Sequence, residues 1–288
     1  MRYEGRVFRP PSEAYSLIIQ ATIGCSHNKC AFCEMYKEKK FRIRNTREVI
    51  GDLNIARATY RHVDRIFLAD GDAMMIPMPR LMEIVQHIKK TFPECQRVGI
   101  YASPTSLKIK TVDELRQLKE AGIGIAYLGL ESGNEEVLAR MDKGSTVAEI
   151  VECGLKVKEA GIALSVTAIS GLGGKEHWEA HAIDTAKALS AMKPEYIGLL
   201  TLMVHEDTPL YDWVREGSFT PLDPREIAHE TRLMLQHLDS EGSVFRANHA
   251  SNYVSLGGNL NADRQALLDK LDRALEGDRF RSEMARRF

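Results

Sequence analysis

Three of the five cysteines in the chain, Cys25, Cys30 and Cys33, lie within one short segment. Their spacing is C-x4-C-x2-C, and thiolates this close together can bind three corners of a cubane [4Fe–4S] cluster. Such a cluster has a fourth iron without a protein ligand, which leaves room for a small molecule to bind there. A zinc site would need a fourth ligand, and His27 lies inside the loop, in an awkward position to serve as one.

The other two cysteines, Cys95 and Cys153, stand alone in the sequence. We interpret them as packing residues. An electron-transfer ferredoxin would normally supply a fourth cysteine, and an odd, uneven set does not suit the disulfide framework of a secreted protein. The clustered trio therefore predicts a metal site or a catalytic device in a reducing compartment.

The composition is that of a soluble globular protein. The 288 residues are 44% hydrophobic and 27% charged, with 39 basic against 40 acidic side chains, and they can bury a sizeable core. The longest apolar run, residues 197–204, is far shorter than the roughly 20 residues of a membrane helix, and the N-terminus has no apolar signal core. We predict a cytoplasmic protein without a membrane partner. Its net charge of −1 gives no general attraction to nucleic acid. We therefore do not expect nucleic acid as a partner.

Short β-rich runs alternate with helical patterns, which favours parallel strands joined by crossover helices. The predicted strands lie near residues 17–22, 65–69, 98–102, 125–130, 163–169 and 195–203. The predicted helices between them lie near residues 46–60, 79–91, 112–121, 135–141, 148–160 and 175–192. Six such units predict an α/β fold, a partial (β/α)6 TIM-like barrel two units short of a complete one.

The rest of the chain is mostly helical in pattern, near residues 209–216, 224–239 and 262–275, with a break at 242–256. We expect a helical C-terminal extension, residues 206–288, that closes the mouth of a barrel core spanning about residues 15–205. Because no low-complexity linker separates the two, we predict a single domain over residues 1–288.

The cysteine trio, with the aromatic Phe32 directly before Cys33, resembles the radical S-adenosylmethionine (radical SAM) superfamily. The usual spacing in that family is C-x3-C-x2-C, so this chain has one extra residue in the first interval. It is similar to a compact branch of the family that carries the longer spacing. The resemblance implies that Cys25, Cys30 and Cys33 hold the cluster, and it implies two cofactors, a [4Fe–4S] cluster and S-adenosylmethionine (SAM).

Three later segments resemble further motifs of the family, in the expected order. Asp70-Gly71-Asp72 occupies the place of the Gly-Gly-Glu-Pro motif, which receives the amino group of SAM. Glu131 matches a polar contact to the ribose, and Arg140 a frequent partner of the SAM carboxylate. Residues 167–174 resemble the adenine motif G-x-I-x-G-x-x-E, with Ile169 and Gly171 kept and both flanking positions replaced. The cofactor-binding residues that the resemblance implies are Phe32, Tyr36, Asp70, Gly71, Asp72, Ser103, Glu131, Ser132, Arg140, Ile169, Gly171 and Leu172.

The resemblance implies an enzyme that reductively cleaves SAM to a 5′-deoxyadenosyl radical, which abstracts hydrogen from a substrate. A reductase, flavodoxin or ferredoxin would supply the electron. Two alternatives stay open: radical SAM modification of RNA or protein, and a non-catalytic iron–sulfur protein for electron transfer or structure.

Two segments are candidates for substrate contact. The run from residue 37 to residue 44 carries five positive charges directly after the cluster loop. Such a run is suited to binding a small anionic substrate. Its candidate substrate contacts are Lys40 and Arg42. Residues 245–253 are polar and aromatic within an otherwise helical tail, and we expect them to fold back over the barrel mouth. Their candidate contacts are Asn248, His249 and Asn252.

Overall fold

A computed structural model describes residues 1–286 of the chain, where strands and helices alternate. The strands are β1 (Leu17–Gln20), β2 (Thr22–Ile23), β3 (Arg42–Ile43), β4 (Arg65–Ala69), β5 (Arg97–Ala102), β6 (Ile123–Glu131), β7 (Ala163–Ser170), β8 (Tyr196–Thr201), β9 (Val244–Ala247) and β10 (Leu256–Asn259). The α-helices are α1 (Thr46–Thr59), α2 (Met78–Thr91), α3 (Pro104–Lys108), α4 (Val112–Ala121), α5 (Glu135–Arg140), α6 (Val147–Glu159), α7 (Gly174–Met192), α8 (Pro209–Glu216), α9 (Pro224–His237) and α10 (Arg264–Gly277).

The chain divides into two compact units. The first comprises Met1–Asn28, Met35–Leu128 and Cys153–Leu164. In it, β1, β4, β5 and most of β6 run parallel, β4 pairing with both β1 and β5, while β2 and β3 form a short antiparallel pair. Alternate residues of the strands share one face, and Phe67, Ile125 and Tyr127 form a buried cluster there.

The second unit comprises Lys29–Glu34, Gly129–Glu152 and the described residues of Ser165–Phe288. In it, β8 pairs in parallel with β7 on one side and with β9 on the other, and β10 pairs antiparallel with β9. The cysteine loop thus contributes to both units, Cys25 to the first and Cys30 and Cys33 to the second.

The six predicted strands and the six predicted helices all have counterparts in the structure. The strand Arg65–Ala69 and the helix Val112–Ala121 have the predicted bounds. The predicted first strand is divided into β1 and β2, and the fourth extends at both ends, to Ile123–Glu131.

The C-terminal region differs from the expected helical extension, because the break between its helices contains β9 and β10. Phe245 and Ala247 of β9 are buried, whereas Val244 is half-buried and Arg246 is exposed, which is the alternation of a strand with one face on the core. Phe245 lies opposite Ile197 of β8 in the parallel register. The region therefore adds strands as well as helices. Its position over a barrel mouth stays a prediction. The single domain over residues 1–288 also stays a prediction.

No helix among residues 1–286 has both the length and the apolar character needed to span a membrane. The cytoplasmic location stays a prediction.

Candidate active site

The cysteine trio lies in the loop that follows β2 and ends before β3. Cys25, Cys30 and Cys33 are each partly exposed, and none of the five cysteines forms a disulfide. Among residues 1–286, no three side chains of His, Cys, Asp or Glu are grouped so that they could hold one metal ion. In a cubane cluster each thiolate binds a different iron, so three sulfurs that share a cluster need not converge on one centre.

A single buried carboxylate holds both ends of this loop within the first unit. Asp70, directly after β4, is 0% exposed. Its Oδ2 accepts a hydrogen bond from the backbone N–H of Gly24 (3.0 Å), at the start of the loop. The same oxygen pairs with Lys39 Nζ (2.7 Å), at the end of the loop. Charge-assisted hydrogen bonds of this kind are among the strongest in proteins, so Asp70 fixes the loop at its entry and its exit.

Gly71 brings the turn after β4 very close to the first cysteine. A Cβ atom built on Gly71 would lie 2.9 Å from Cys25 Cβ and 2.9 Å from the Tyr36 ring atom Cε2. Both distances are shorter than real Cβ contacts allow, so only glycine permits this approach. The predicted residues Tyr36, Gly71 and Cys25 are therefore brought together in one place.

Asp72 is the second buried acid of this turn, and its environment differs from that of Asp70. Its Oδ2 accepts hydrogen bonds from the hydroxyls of Ser26 and Ser103, both at 2.5 Å. Its Oδ1 is buried and has no hydrogen-bond partner among the described residues, where Asp72 also forms no ion pair. Burial raises the pKa of the Asp72 carboxyl, while the hydroxyls of Ser103 and Ser26 lower it. A buried acceptor without a donor suits a ligand that brings its own positive charge.

In the second unit, the cysteine loop packs against the end of β7. The backbone N–H of Ala31, between Cys30 and Cys33, donates to the carbonyl of Met141 (2.9 Å). Ala31 belongs to a buried apolar cluster with Ile169 and Leu172, and Phe32 packs against the same cluster. The structure thus brings Ala31 and Phe32 of the cysteine loop into contact with the cluster of Ile169 and Leu172, which lie about 140 positions later in the sequence.

Glu131 ends β6 with an unusual backbone. Its φ of +63° lies in the left-handed region, which non-glycine residues adopt rarely and mostly at turns or functional sites. Its Oε1 pairs with Lys143 Nζ at 2.8 Å. The next residue, Ser132, is 0% exposed, so it lies beneath the surface of the site.

Arg140 is engaged by protein groups in the structure. Its guanidinium pairs with Glu176 at 3.0 Å and donates to the carbonyl of Ser218, and it lies over the rings of Trp213 and Phe219. Its predicted contact with the SAM carboxylate stays a prediction.

The basic run after the loop is largely paired within the protein. Arg42 forms an ion pair with Glu4, and Arg44 pairs with Asp52 at 2.9 Å. Together with Lys39, at least three of its five positive charges have acidic partners, and Lys40 is exposed. The anion-binding role of Lys40 and Arg42 stays a prediction.

The segment after β9 is anchored to β8. Asn252 is 3% exposed, accepts a hydrogen bond from the Thr201 hydroxyl (3.0 Å) and donates to the Leu199 carbonyl (3.0 Å). His249 is half-buried, and burial lowers its pKa, while Asn248 is exposed. The segment does fold back on the strands, and the substrate contacts of these three residues stay predictions.

Sequence patterns do not identify several residues that this geometry singles out. They are Ser26, which bonds to Asp72, and the buried pair His181 and Glu230, which lies in the second unit. Lys39 stands out in the sequence only as one charge of a basic run. A serine in a loop and a glutamate in an amphipathic helix have no distinguishing pattern, so only the folded chain shows their roles.

Comparison with known protein families gives one match over most of the chain. The family model described as the Radical SAM superfamily matches residues 19–186. This range includes the cysteine trio and the ends of β4, β6 and β7.

Individual proteins are similar to the chain at low identity. An uncharacterised protein of Methanocaldococcus jannaschii is 24% identical over 247 residues, which cover 82% of this chain and 74% of that protein. Among solved structures, methylornithine synthase (PylB) has a TM-score of 0.56 at 18% identity, covering 89% of this chain and 68% of the other. Coproporphyrinogen III oxidase (HemN) from Escherichia coli, described as a radical SAM enzyme, has a TM-score of 0.55 at 16% identity. The match covers 77% of this chain and 52% of the other. These likenesses confirm the predicted α/β, TIM-like fold class.

Two ion pairs of the basic run test whether Asp70 depends on its pairing with Lys39. We expect Lys39→Met to lower the free energy of unfolding by about 3 kcal/mol, because it leaves the Asp70 carboxylate buried without its countercharge. Arg42→Met is the matched control, since the side chains of Arg42 and Glu4 are 50% and 51% exposed and an exposed pair contributes about 1 kcal/mol or less. Urea denaturation of both variants measures the difference. Equal losses would show that Asp70 does not depend on Lys39.

Proposed function

This chain belongs to the radical SAM superfamily, and we propose that Cys25, Cys30 and Cys33 hold a [4Fe–4S] cluster at which SAM is reductively cleaved. Membership confirms the predicted class of enzyme and, at the level of the family, the two predicted cofactors. When bound, the cluster would pass one electron to the sulfonium of SAM, giving methionine and a 5′-deoxyadenosyl radical that takes a hydrogen atom from the substrate.

The donor set fits such a cluster. Three thiols bind three irons of a cubane and leave the fourth iron open for SAM. The anchor of Asp70 at Gly24 and Lys39 holds the two ends of the loop that carries them.

We propose that residues of the turn after β4 bind the methionine end of SAM. Asp72 would accept a hydrogen bond from the α-amino group through Oδ1, which has no partner among the described residues. Ser26 and Ser103 hold the other oxygen and so fix the direction of the carboxylate. Arg140 is the proposed partner of the SAM carboxylate.

The residues at the ends of β6 and β7 would bind the adenosine end. We propose that Ile169 and Leu172 form the apolar side of the adenine site, and that Glu131 accepts a hydrogen bond from the ribose hydroxyls. The observation that carries the proposal is the buried cluster in which Ala31 and Phe32 of the cysteine loop pack with Ile169 and Leu172. It joins the cluster-binding segment to the adenine-binding segment in one core.

The substrate is proposed to be a small anionic molecule, contacted by Lys40, Arg42, Asn248, His249 and Asn252. The electron would come from a reductase, a flavodoxin or a ferredoxin.

The cysteine assignment predicts a clear difference between two variants. After anaerobic reconstitution, we expect the wild-type protein and Cys95→Ala to contain about four irons per chain, and Cys30→Ala to lose the cluster and all SAM cleavage. Cys95 is a suitable control because it is a half-buried thiol outside the loop. The measurements are iron and sulfide content, followed by 5′-deoxyadenosine formed with dithionite and SAM.

The outcomes of this experiment separate the alternatives. A wild-type protein with a cluster but no cleavage of SAM would contradict the proposal and favour an iron–sulfur protein for electron transfer or structure. Release of a 3-amino-3-carboxypropyl fragment would show that a different C–S bond breaks.

A second prediction concerns Asp72. We expect Asp72→Asn to retain the full iron content and to weaken SAM binding by about tenfold or more, because the charge that receives the amino group is removed. Anaerobic calorimetric titration with SAM measures this. Asp113→Asn is the control for loss of one negative charge in the same unit, since the Asp113 side chain is 81% exposed. An unchanged affinity in Asp72→Asn would show that the turn after β4 does not bind the amino group.

A further inference from the structure

Glu230 is a buried acid on α9 that lies outside residues 19–186, the range that the family model matches. It is 2% exposed. Its Oε1 accepts two hydrogen bonds from the turn that follows β7, from the Ser170 hydroxyl (2.6 Å) and from the Gly171 backbone N–H (2.7 Å). Its Oε2 is buried and has no hydrogen-bond partner among the described residues. Burying a carboxylate is costly, so its place in the core needs an explanation.

His181 on α7 continues this arrangement toward the end of β6. It is 2% exposed, and its Nε2 lies 3.1 Å from the Ile169 carbonyl and 3.8 Å from Glu230 Oε1. Its Nδ1 lies 2.7 Å from the Ser132 hydroxyl. A buried chain of polar groups therefore connects Glu230 and the Ile169–Gly171 turn with Ser132.

Both ring nitrogens of His181 have a polar partner. A carbonyl only accepts, so Nε2 donates its hydrogen to the Ile169 carbonyl. Nδ1 lies beside the Ser132 hydroxyl, which accepts the backbone N–H of Asn134 at 3.0 Å. These contacts fix the orientation of the imidazole.

The turn after β7 has no room for an acid of its own at Gly174. Gly174 has a φ of +58°, and a Cβ there would lie 3.0 Å from both Phe219 Cε2 and the Thr220 carbonyl oxygen. The carboxylate that bonds to the turn must therefore come from another element, and α9 supplies it. Ser132, His181 and Glu230 together contain the groups of a hydrolytic triad, but Ser132 is 0% exposed and cannot reach a substrate.

We infer that Glu230 is a positioning residue that, with His181, holds the ends of β6 and β7 in the arrangement that binds the adenosine end of SAM. This role rests on the proposed function. Glu230 acts through Ser170 and Gly171, and it sets where Ile169 and Glu131 stand. Burial raises the pKa of the Glu230 carboxyl, and its observed role is that of an acceptor for Ser170 and Gly171.

The test compares ligands for the two ends of SAM. The reconstituted wild-type protein is first titrated with SAM, and then each variant is titrated with 5′-deoxyadenosine and with L-methionine under the same anaerobic conditions. We expect Glu230→Leu to bind 5′-deoxyadenosine about tenfold more weakly or worse, because two donors of the turn lose their acceptor, and to bind L-methionine as the wild type does. Glu230→Gln keeps an oxygen acceptor and should restore 5′-deoxyadenosine binding.

Two further variants control for general destabilisation and for a failure of Glu230→Leu to fold. Met234→Ala removes a buried apolar side chain from the same helix and measures the effect of general destabilisation. Ser170→Ala removes one of the two hydrogen bonds, and we expect an intermediate loss of 5′-deoxyadenosine binding, which substitutes for Glu230→Leu if that variant does not fold.

The outcomes distinguish this inference from the proposed function. A wild-type protein that binds no SAM overturns the proposed function and the inference with it. A wild-type protein that binds SAM, with Glu230→Leu unchanged toward 5′-deoxyadenosine, overturns the inference alone. The inference is also overturned if Met234→Ala weakens 5′-deoxyadenosine binding as much as Glu230→Leu, or if Glu230→Leu weakens both ligands equally.

Discussion

The pairing of Asp70 with Lys39 and with the backbone of Gly24 is the constraint on which the cysteine loop depends. The loop between Gly24 and Lys39 has no regular strand or helix through which it could be held by a ladder of backbone hydrogen bonds. A buried carboxylate at the end of a parallel strand substitutes for that ladder, since one oxygen receives a donor from each end of the loop. This pairing ties the two ends of the loop to the end of β4.

Buried acids hold the turns at the ends of two strands, β4 and β7. Asp70 and Asp72 follow β4, and Glu230 reaches the turn after β7 from a helix. Each carries a desolvation cost that apolar residues would avoid. The hydrogen bonds of such a carboxylate fix hydroxyl and amide groups at defined positions. A site that must orient a small cofactor requires these fixed positions more than it requires maximal stability.

Much of the fold and part of the site could be predicted from the sequence. The sequence predicts β4 and α4 at their observed bounds. Its resemblance to family motifs after β4 and at the end of β7 makes Asp72 and Ile169 candidates for the site. The strands β9 and β10 could not be predicted, because they are short, lie among helices and are defined only by their pairing, of β9 with β8 and of β10 with β9. Glu230 and His181 could not be predicted, since their significance comes from contacts that join α9, α7 and two strand ends.

The anchoring of the cysteine loop at its two ends has a consequence for its length. A segment whose ends are fixed can gain a residue in its middle while everything outside the anchors stays in place, and by polymer theory the added closure entropy for one residue in about fifteen is below about 0.1 kcal/mol. The longer C-x4-C interval between Cys25 and Cys30 is thus a local variation that the anchors absorb. An insertion of this kind costs the fold little free energy, and its effect falls on the geometry of the cluster ligands.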